Sequence, residues 1–91
     1  MANVVVTIRI MPKDVNIDLT EVEKKAKEVI EKYGVFGKSE IKPVAFGLNQ
    51  LNIIFLIDET KPEFLEKIEE EIKSFDEVES VETIDVRREF V

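Results

Sequence analysis

The apolar residues of this chain switch between a spacing of two and a spacing near 3.6, and the order of the switches limits the possible folds more than any other feature. Val4, Val6, Ile8 and Ile10 alternate with Asn3, Val5, Thr7 and Arg9, the pattern of a half-buried strand ending at Pro12. Asp18, with Glu21 three residues on, reads as a helix start, and Leu19, Val22, Ala26, Val29, Ile30 and Tyr33 then fall on one helical face. Gly34 is expected to close that helix as a left-handed cap, and Val35-Phe36-Gly37 to follow as a turn-like connection. A second strand runs from Lys38 to Phe46, and its Pro43 requires a sheet edge or a bulge because proline cannot donate to a ladder. Gly47-Leu48-Asn49-Gln50 is read as a hairpin connection into a third strand, Leu51 to Asp58. There Leu51, Ile53, Phe55 and Ile57 form one face, and Asn52, Ile54 and Leu56 the other. Thr60 and Glu63 repeat the helix-start pattern before an amphipathic helix carrying Phe64, Leu65, Ile68, Ile72 and Phe75. A last strand begins at Val78 or Ser80 and reaches Phe90, and its apolar spacing shifts once between Val81 and Ile84-Val86, which implies a bulge.

Strand, helix, strand, strand, helix, strand is the ferredoxin-like βαββαβ order, an α+β sandwich with two helices on one face of a four-stranded antiparallel sheet. At 91 residues the chain accommodates one domain, taken as residues 1–91. The other sheet face stays open and carries Val5, Ile54 and Leu56 beside Thr7, Arg9 and Asn52. This strip is either a contact surface or a set of singly exposed apolar residues.

Composition removes most chemistry that this fold can host. There is no Cys and no His, so no thiolate nucleophile, disulfide, imidazole base or imidazole metal ligand exists. No catalytic residue, metal site or cofactor is expected. The loop after the first strand, MPKDVNID, has neither the Gly nor the Arg of an anion-binding loop. The Glu69-Glu70-Glu71 run cannot converge on one ion, since neighbours on a helix diverge by about 100°. The formal charge is −7, distributed as +1 over residues 1–45 and −8 over residues 46–91. Nucleic acid is therefore not expected as a direct ligand. The acidic half either meets a basic protein surface or is a solvated face. No signal peptide or membrane span is read, so the cytoplasm is the expected compartment.

Two segments remain without an obvious structural role. Phe46 sits next to Gly47 at a hairpin connection, where it is either packed against the end of the sheet or an exposed anchor for a partner's pocket. Arg87 and Arg88 end an acidic chain, as either a solvated terminus or a contact to a carboxylate or phosphate.

Several stretches resemble the guanine-nucleotide-exchange domain of translation elongation factor 1-beta in its short archaeal form. They are PVAFGLNQL at residues 43–51, the strand ending in Asp58-Glu59, the Phe75-Asp76-Glu77 and Ile84-Asp85-Val86 pieces, and the start VVTIRIMPKDVNIDLTEVE. The resemblance covers essentially the whole chain and is most specific at the PVAFG hairpin. It implies a binding module, without covalent chemistry, that engages the GTPase elongation factor 1-alpha and promotes GDP release by disturbing the magnesium and phosphate end of the nucleotide site. It also implies partner-binding roles for Phe46, Gly47, Leu48, Asn49 and Gln50, with Phe46 as the inserted aromatic. Eukaryotic members carry lysines at the places of Asn49 and Gln50, and a near-terminal lysine at the place of Val91. Arg87 or Arg88 is the expected substitute for that last charge. The competing reading is a small-molecule regulatory domain acting as a homodimer, which the lack of a Gly-rich loop disfavours.

Overall fold

The computed structural model describes residues 3–88. Its elements are β1 (Asn3–Pro12), α1 (Leu19–Tyr33), β2 (Val35–Ala45), β3 (Leu48–Asp58), α2 (Glu63–Lys73) and β4 (Val78–Arg88). The four strands form one antiparallel sheet in the order β2-β3-β1-β4, so the expected ferredoxin-like architecture is present.

The alternation along β1 and β3 decides which side the helices cover. Val6, Ile8 and Ile10 of β1 and Leu51, Ile53, Phe55 and Ile57 of β3 are buried, and they meet Leu19, Val22, Ala26, Val29 and Ile30 of α1 and Ile68 and Ile72 of α2 in one core. Side chains one position out of phase, including Val5, Thr7, Arg9, Asn52, Ile54 and Leu56, lie half-exposed on the opposite face. A one-residue slip would exchange the two faces, so the hydrophobic pattern pins the register.

Two strand irregularities fall where the sequence placed them, and two more, between Phe36 and Lys38 and between Met11 and Pro12, were not expected. β2 lies at the sheet edge, and its pairing with β3 skips a residue between Pro43 and Ala45, so both outcomes open to a strand proline occur together. In β4 the partners pass from Thr83, opposite Ile8, to Asp85, opposite Thr7. Ile84 is the extra residue of that bulge.

Four local expectations are corrected. Gly34 is extended, at φ −162° and ψ −151°, and is not a left-handed cap, although its N–H still closes α1 on the Ile30 carbonyl at 2.8 Å. Glycine is needed because β3 passes close by: a Cβ at residue 34 would stand 2.1 Å from the Leu56 carbonyl oxygen. Val35-Phe36-Gly37 is consequently no turn but the beginning of β2. The two helix starts also differ from expectation. Asp18 caps α1 by accepting from the Thr20 N–H at 3.0 Å, which makes Thr20 rather than Glu21 its side-chain partner. α2 begins after Pro62 with no side-chain cap; Asp58 instead holds the preceding turn, accepting from the Thr60 N–H at 2.9 Å and its hydroxyl at 2.8 Å.

Between the helices, Glu71 of α2 accepts from Lys32 Nζ and from the Tyr33 hydroxyl, and the Tyr33 ring packs on Phe64 with centroids 5.4 Å apart. These bonds, Lys32 first, hold the Glu71 carboxyl below the ordinary glutamate value of 4.5. The same bonds raise Lys32 above 10.5 and Tyr33 above 10.0. A depressed carboxylate contributes stability at neutral pH that is lost as pH falls through its folded value. Raised Lys and Tyr groups contribute below their unfolded values and lose that contribution as pH rises through their folded ones. The network should therefore weaken at both ends, below pH 4.5 and above pH 10.0. In a pH series of thermal melts, Glu71→Gln should flatten both limbs; an unchanged profile would remove the network from the stability balance.

A projecting hairpin as candidate partner-binding site

The pairing of β1 with β3 ends at Ile10 opposite Leu51. Beyond that point, among the described residues, Lys42 to Gln50 pair only with each other, so the β2–β3 hairpin projects from the body of the domain. The connection is shorter than the four residues expected. Phe46 and Gly47 alone form the turn, and Leu48, Asn49 and Gln50 already belong to β3.

Both turn residues have positive φ, 52° for Phe46 and 78° for Gly47. That combination belongs to the two-residue type I′ hairpin turn, whose twist matches the flanking strands and whose usual first residue is Asn, Asp or Gly. Phe46 is the only non-glycine residue with positive φ among those described. Its side chain is 101% exposed, which decides between the two readings of this residue: it packs on nothing. A bulky residue in left-handed backbone costs about 1–2 kcal/mol and gains no burial here in return. Val44, half-exposed beside the strand irregularity, is a second exposed large apolar side chain on this hairpin.

The remaining candidates divide by position. Asn49 is opposite Pro43 on the helix side of the hairpin. Gln50 is opposite Lys42 on the open side and donates to Asn52 Oδ1 at 3.1 Å. Leu48 faces Ala45 just below the turn. Arg87 and Arg88 lie at the other end of the sheet, opposite Val5 and Val4. Val5 pairs with Leu56, and the eight residues from there to Leu48 span about 26 Å along β3. Both arginines have carboxylates within the chain: Arg87 Nε is 2.9 Å from Asp85 Oδ2, and Arg88 Nη2 is 3.0 Å from Glu59 Oε2. The seven candidates thus form two separate groups. Val91 and the end of the strand expected to reach Phe90 lie outside the described residues.

The acidity avoids the hairpin. The four strands carry five basic and five acidic side chains, whereas α2 alone carries five Glu against two Lys. Glu69 accepts from the Thr83 hydroxyl at 2.6 Å while Glu71 binds Lys32 and Tyr33, so these nearby glutamates of α2 point to different partners. Among the described residues no three carboxylates gather as a metal site, and no helix is long and apolar enough to cross a membrane.

Sequence reasoning missed a cleft between the loop after β1 and the base of the hairpin. Val15, Ile17, Ile41 and Asn49 line it, with Asp14 and Asp18 among its other lining residues, and its volume is about 250 Å³. Val15 is 56% and Ile41 41% exposed, unusual for aliphatic side chains with a core at hand. The one available signal was an isolated valine in the polar loop Lys13-Asp14-Val15-Asn16. Asp14 Oδ1 accepts from the Asn16 N–H at 2.7 Å. Thr20, through its hydroxyl and then its N–H, holds the Asp18 carboxyl below the ordinary range.

A small sandwich that displays an unpacked aromatic on a free hairpin has the build of a protein-binding module. Residues 5–88 match the model of the EF-1 guanine nucleotide exchange domain, and the chain belongs to that family. Its function is guanine-nucleotide exchange in translation elongation. Among archaeal relatives, elongation factor 1-beta of Pyrococcus horikoshii is 41% identical over 85 residues, covering 92% of this chain and 89% of that protein. The Nanoarchaeum equitans factor is 39% identical over 80 residues, covering 85% and 94%. Two solved structures share the fold. The ACT domain from GTP pyrophosphokinase of Chlorobium tepidum has a TM-score of 0.63 at 18% identity, covering 90% of this chain and 99% of that one. The C-terminal domain of the MgtC protein from Mycobacterium tuberculosis has a TM-score of 0.63 at 16%, covering 98% and 88%. Family membership sets aside the regulatory homodimer as the reading of function.

Proposed function

We propose that this domain binds the GTPase elongation factor 1-alpha through the β2–β3 hairpin, with Phe46 as the anchor, and lowers the affinity of that GTPase for GDP. The observation that carries the reading is Phe46 itself, fully exposed on strained backbone where an asparagine would serve the turn better. Strain of this kind persists where a side chain has a use outside the fold.

Exchange requires differential affinity. The factor must bind the nucleotide-free GTPase more tightly than the GDP complex, and by reciprocity it then weakens GDP binding by the same ratio. Magnesium bridges nucleotide phosphates to a GTPase, so a contact that disturbs the magnesium and phosphate end weakens GDP most directly. Arg87 and Arg88 are the positive groups proposed for a second contact. Their separation from the hairpin fits a single interface, since a patch of about 800 Å² per partner is roughly 30 Å across. Their carboxylate partners Asp85 and Glu59 would have to release them on binding.

The direct test is GDP release from elongation factor 1-alpha preloaded with a fluorescent GDP analogue. The reading expects at least a tenfold acceleration at micromolar concentrations of this protein, and no acceleration overturns it. Replacing both Arg87 and Arg88 with Ala should slow the exchange severalfold with little change in melting temperature, because both are exposed at a strand end. An unchanged exchange rate would confine the contact to the hairpin.

A further inference from the structure

The cleft beneath the hairpin has no role in the exchange reading so far. Its lining is mixed: Val15, Ile17 and Ile41 stand beside Asp14 and Asp18, and each of these acids commits Oδ1 to a bond inside the chain. Among the described residues neither Oδ2 accepts a hydrogen bond. At about 250 Å³ it is smaller than the 300–1,000 Å³ usual for small-molecule sites, and it suits one or two side chains of a protein. Asn49 joins it to the hairpin, since this residue lines the cleft and lies three positions from Phe46, about 10 Å along the strand.

We infer that the cleft is the lower half of the same interface and receives an apolar side chain flanked by Lys or Arg on the GTPase. The inference rests on the reading that the hairpin engages that partner. Three features support this occupant. Val15 and Ile41 are the two most exposed aliphatic side chains of the cleft, and an apolar side chain entering between them removes both from water. The adjacent carboxylates complement a basic flank. A partner that seats Phe46 and continues along the hairpin meets the cleft about 10 Å further on. The anchor at the tip and the acid-flanked notch at the base then fix the hairpin at two points, which sets orientation as well as affinity.

The test measures association and dissociation with nucleotide-free elongation factor 1-alpha over a range of salt, for the wild-type protein and for Val15→Asn, Asp14→Asn, Phe46→Ala and Glu66→Gln. Asp14→Asn keeps the Oδ1 acceptor of the Asn16 bond, and Val15 lies in an exposed loop, so both should fold normally. Val15→Asn is expected to speed dissociation about five- to tenfold. Asp14→Asn should slow association two- to threefold at low salt, with the difference vanishing at high salt, whereas Glu66→Gln on exposed α2 should not change. If Val15→Asn and Asp14→Asn bind as wild type while Phe46→Ala is weakened, the cleft lies outside the interface and the hairpin reading stands alone. Failure of the wild-type protein to bind overturns both readings. A wild-type dimer that Val15→Asn converts to monomer, with GTPase binding intact, assigns the cleft to self-association and overturns the inference.

Discussion

Phe46→Asn is expected to stabilise the fold slightly while removing most of the exchange activity, a combination that few substitutions can produce. On the structural side, Asn-Gly is the preferred pair for a two-residue turn with positive φ at both positions, and residue 46 has φ 52°. Relief of the left-handed strain should raise stability by about 0.5–1 kcal/mol. No packing is lost, because the Phe46 side chain is entirely exposed. On the binding side, truncating an aromatic anchor typically costs about 2 kcal/mol or more, which is roughly 30-fold in affinity. Thermal melts and GDP-release rates on the same preparation check both halves. Phe46→Ala should share the functional loss with little change in stability, since alanine also strains at positive φ. If Phe46→Asn exchanged nucleotide as fast as wild type, the ring would be surplus and the hairpin assignment wrong. If instead it melted lower, the ring would be contributing to the fold in a way its exposure denies.

The case of Phe46 also shows where sequence reasoning stops. Chain-local rules found the position because an aromatic beside glycine is unusual at a hairpin, but they could not choose between a packed and an exposed ring. That choice depends on where β1 ends. Its pairing stops at Leu51, and only the three-strand register reveals that nothing stands beyond to cover residue 46. The same rules placed the turn too late. They expect Gly, Asn or Asp at left-handed positions, so Gly47-Leu48-Asn49-Gln50 looked more turn-like than Phe46-Gly47.

Burial was far more legible. Val4, Val6, Ile8, Ile10, Leu51, Ile53, Phe55 and Ile57 were assigned to the inner faces from alternation alone; all are at most 3% exposed except Val4, which is partly buried against the core. Periodicity reports on a face, and a face is a property of one element. Proximity between distant segments is not. The distance of Arg87 and Arg88 from the hairpin could not be read from the sequence; the antiparallel register supplies it by placing them opposite Val5 and Val4, at the far end of β1. Val15 and Ile41, 26 positions apart, meet in one cleft because the loop after β1 reaches the base of the hairpin. No spacing rule links a loop residue to an edge strand across that distance.

The second large effect is expected at Gly34, and it separates two reasons for keeping a glycine. Gly34→Ala should cost about 3 kcal/mol, above the usual range for a surface substitution and a large share of the roughly 5–14 kcal/mol available to a chain of this size. The cause is space. The new methyl would stand 2.1 Å from the Leu56 carbonyl oxygen and 3.0 Å from Ile57 Cγ2, so either the end of α1 or the C-terminal end of β3 has to move. Gly47 is the opposite case, with φ 78° and open space for 4 Å around the position a Cβ would take, so its constraint is conformational alone. Asparagine separates the two, because it tolerates left-handed backbone but occupies more room than alanine. Urea denaturation should find Gly47→Asn within about 0.5 kcal/mol of wild type and Gly34→Asn at least as damaging as Gly34→Ala. A helix cap in left-handed backbone would accept asparagine at residue 34 with little loss. Tolerance of Gly34→Asn would therefore restore the cap and exclude the close approach to β3, whereas a severe loss ties the end of α1 to Leu56 through the backbone itself. Since β2 begins at the next residue and carries the hairpin, that contact also sets the position from which Phe46 is presented.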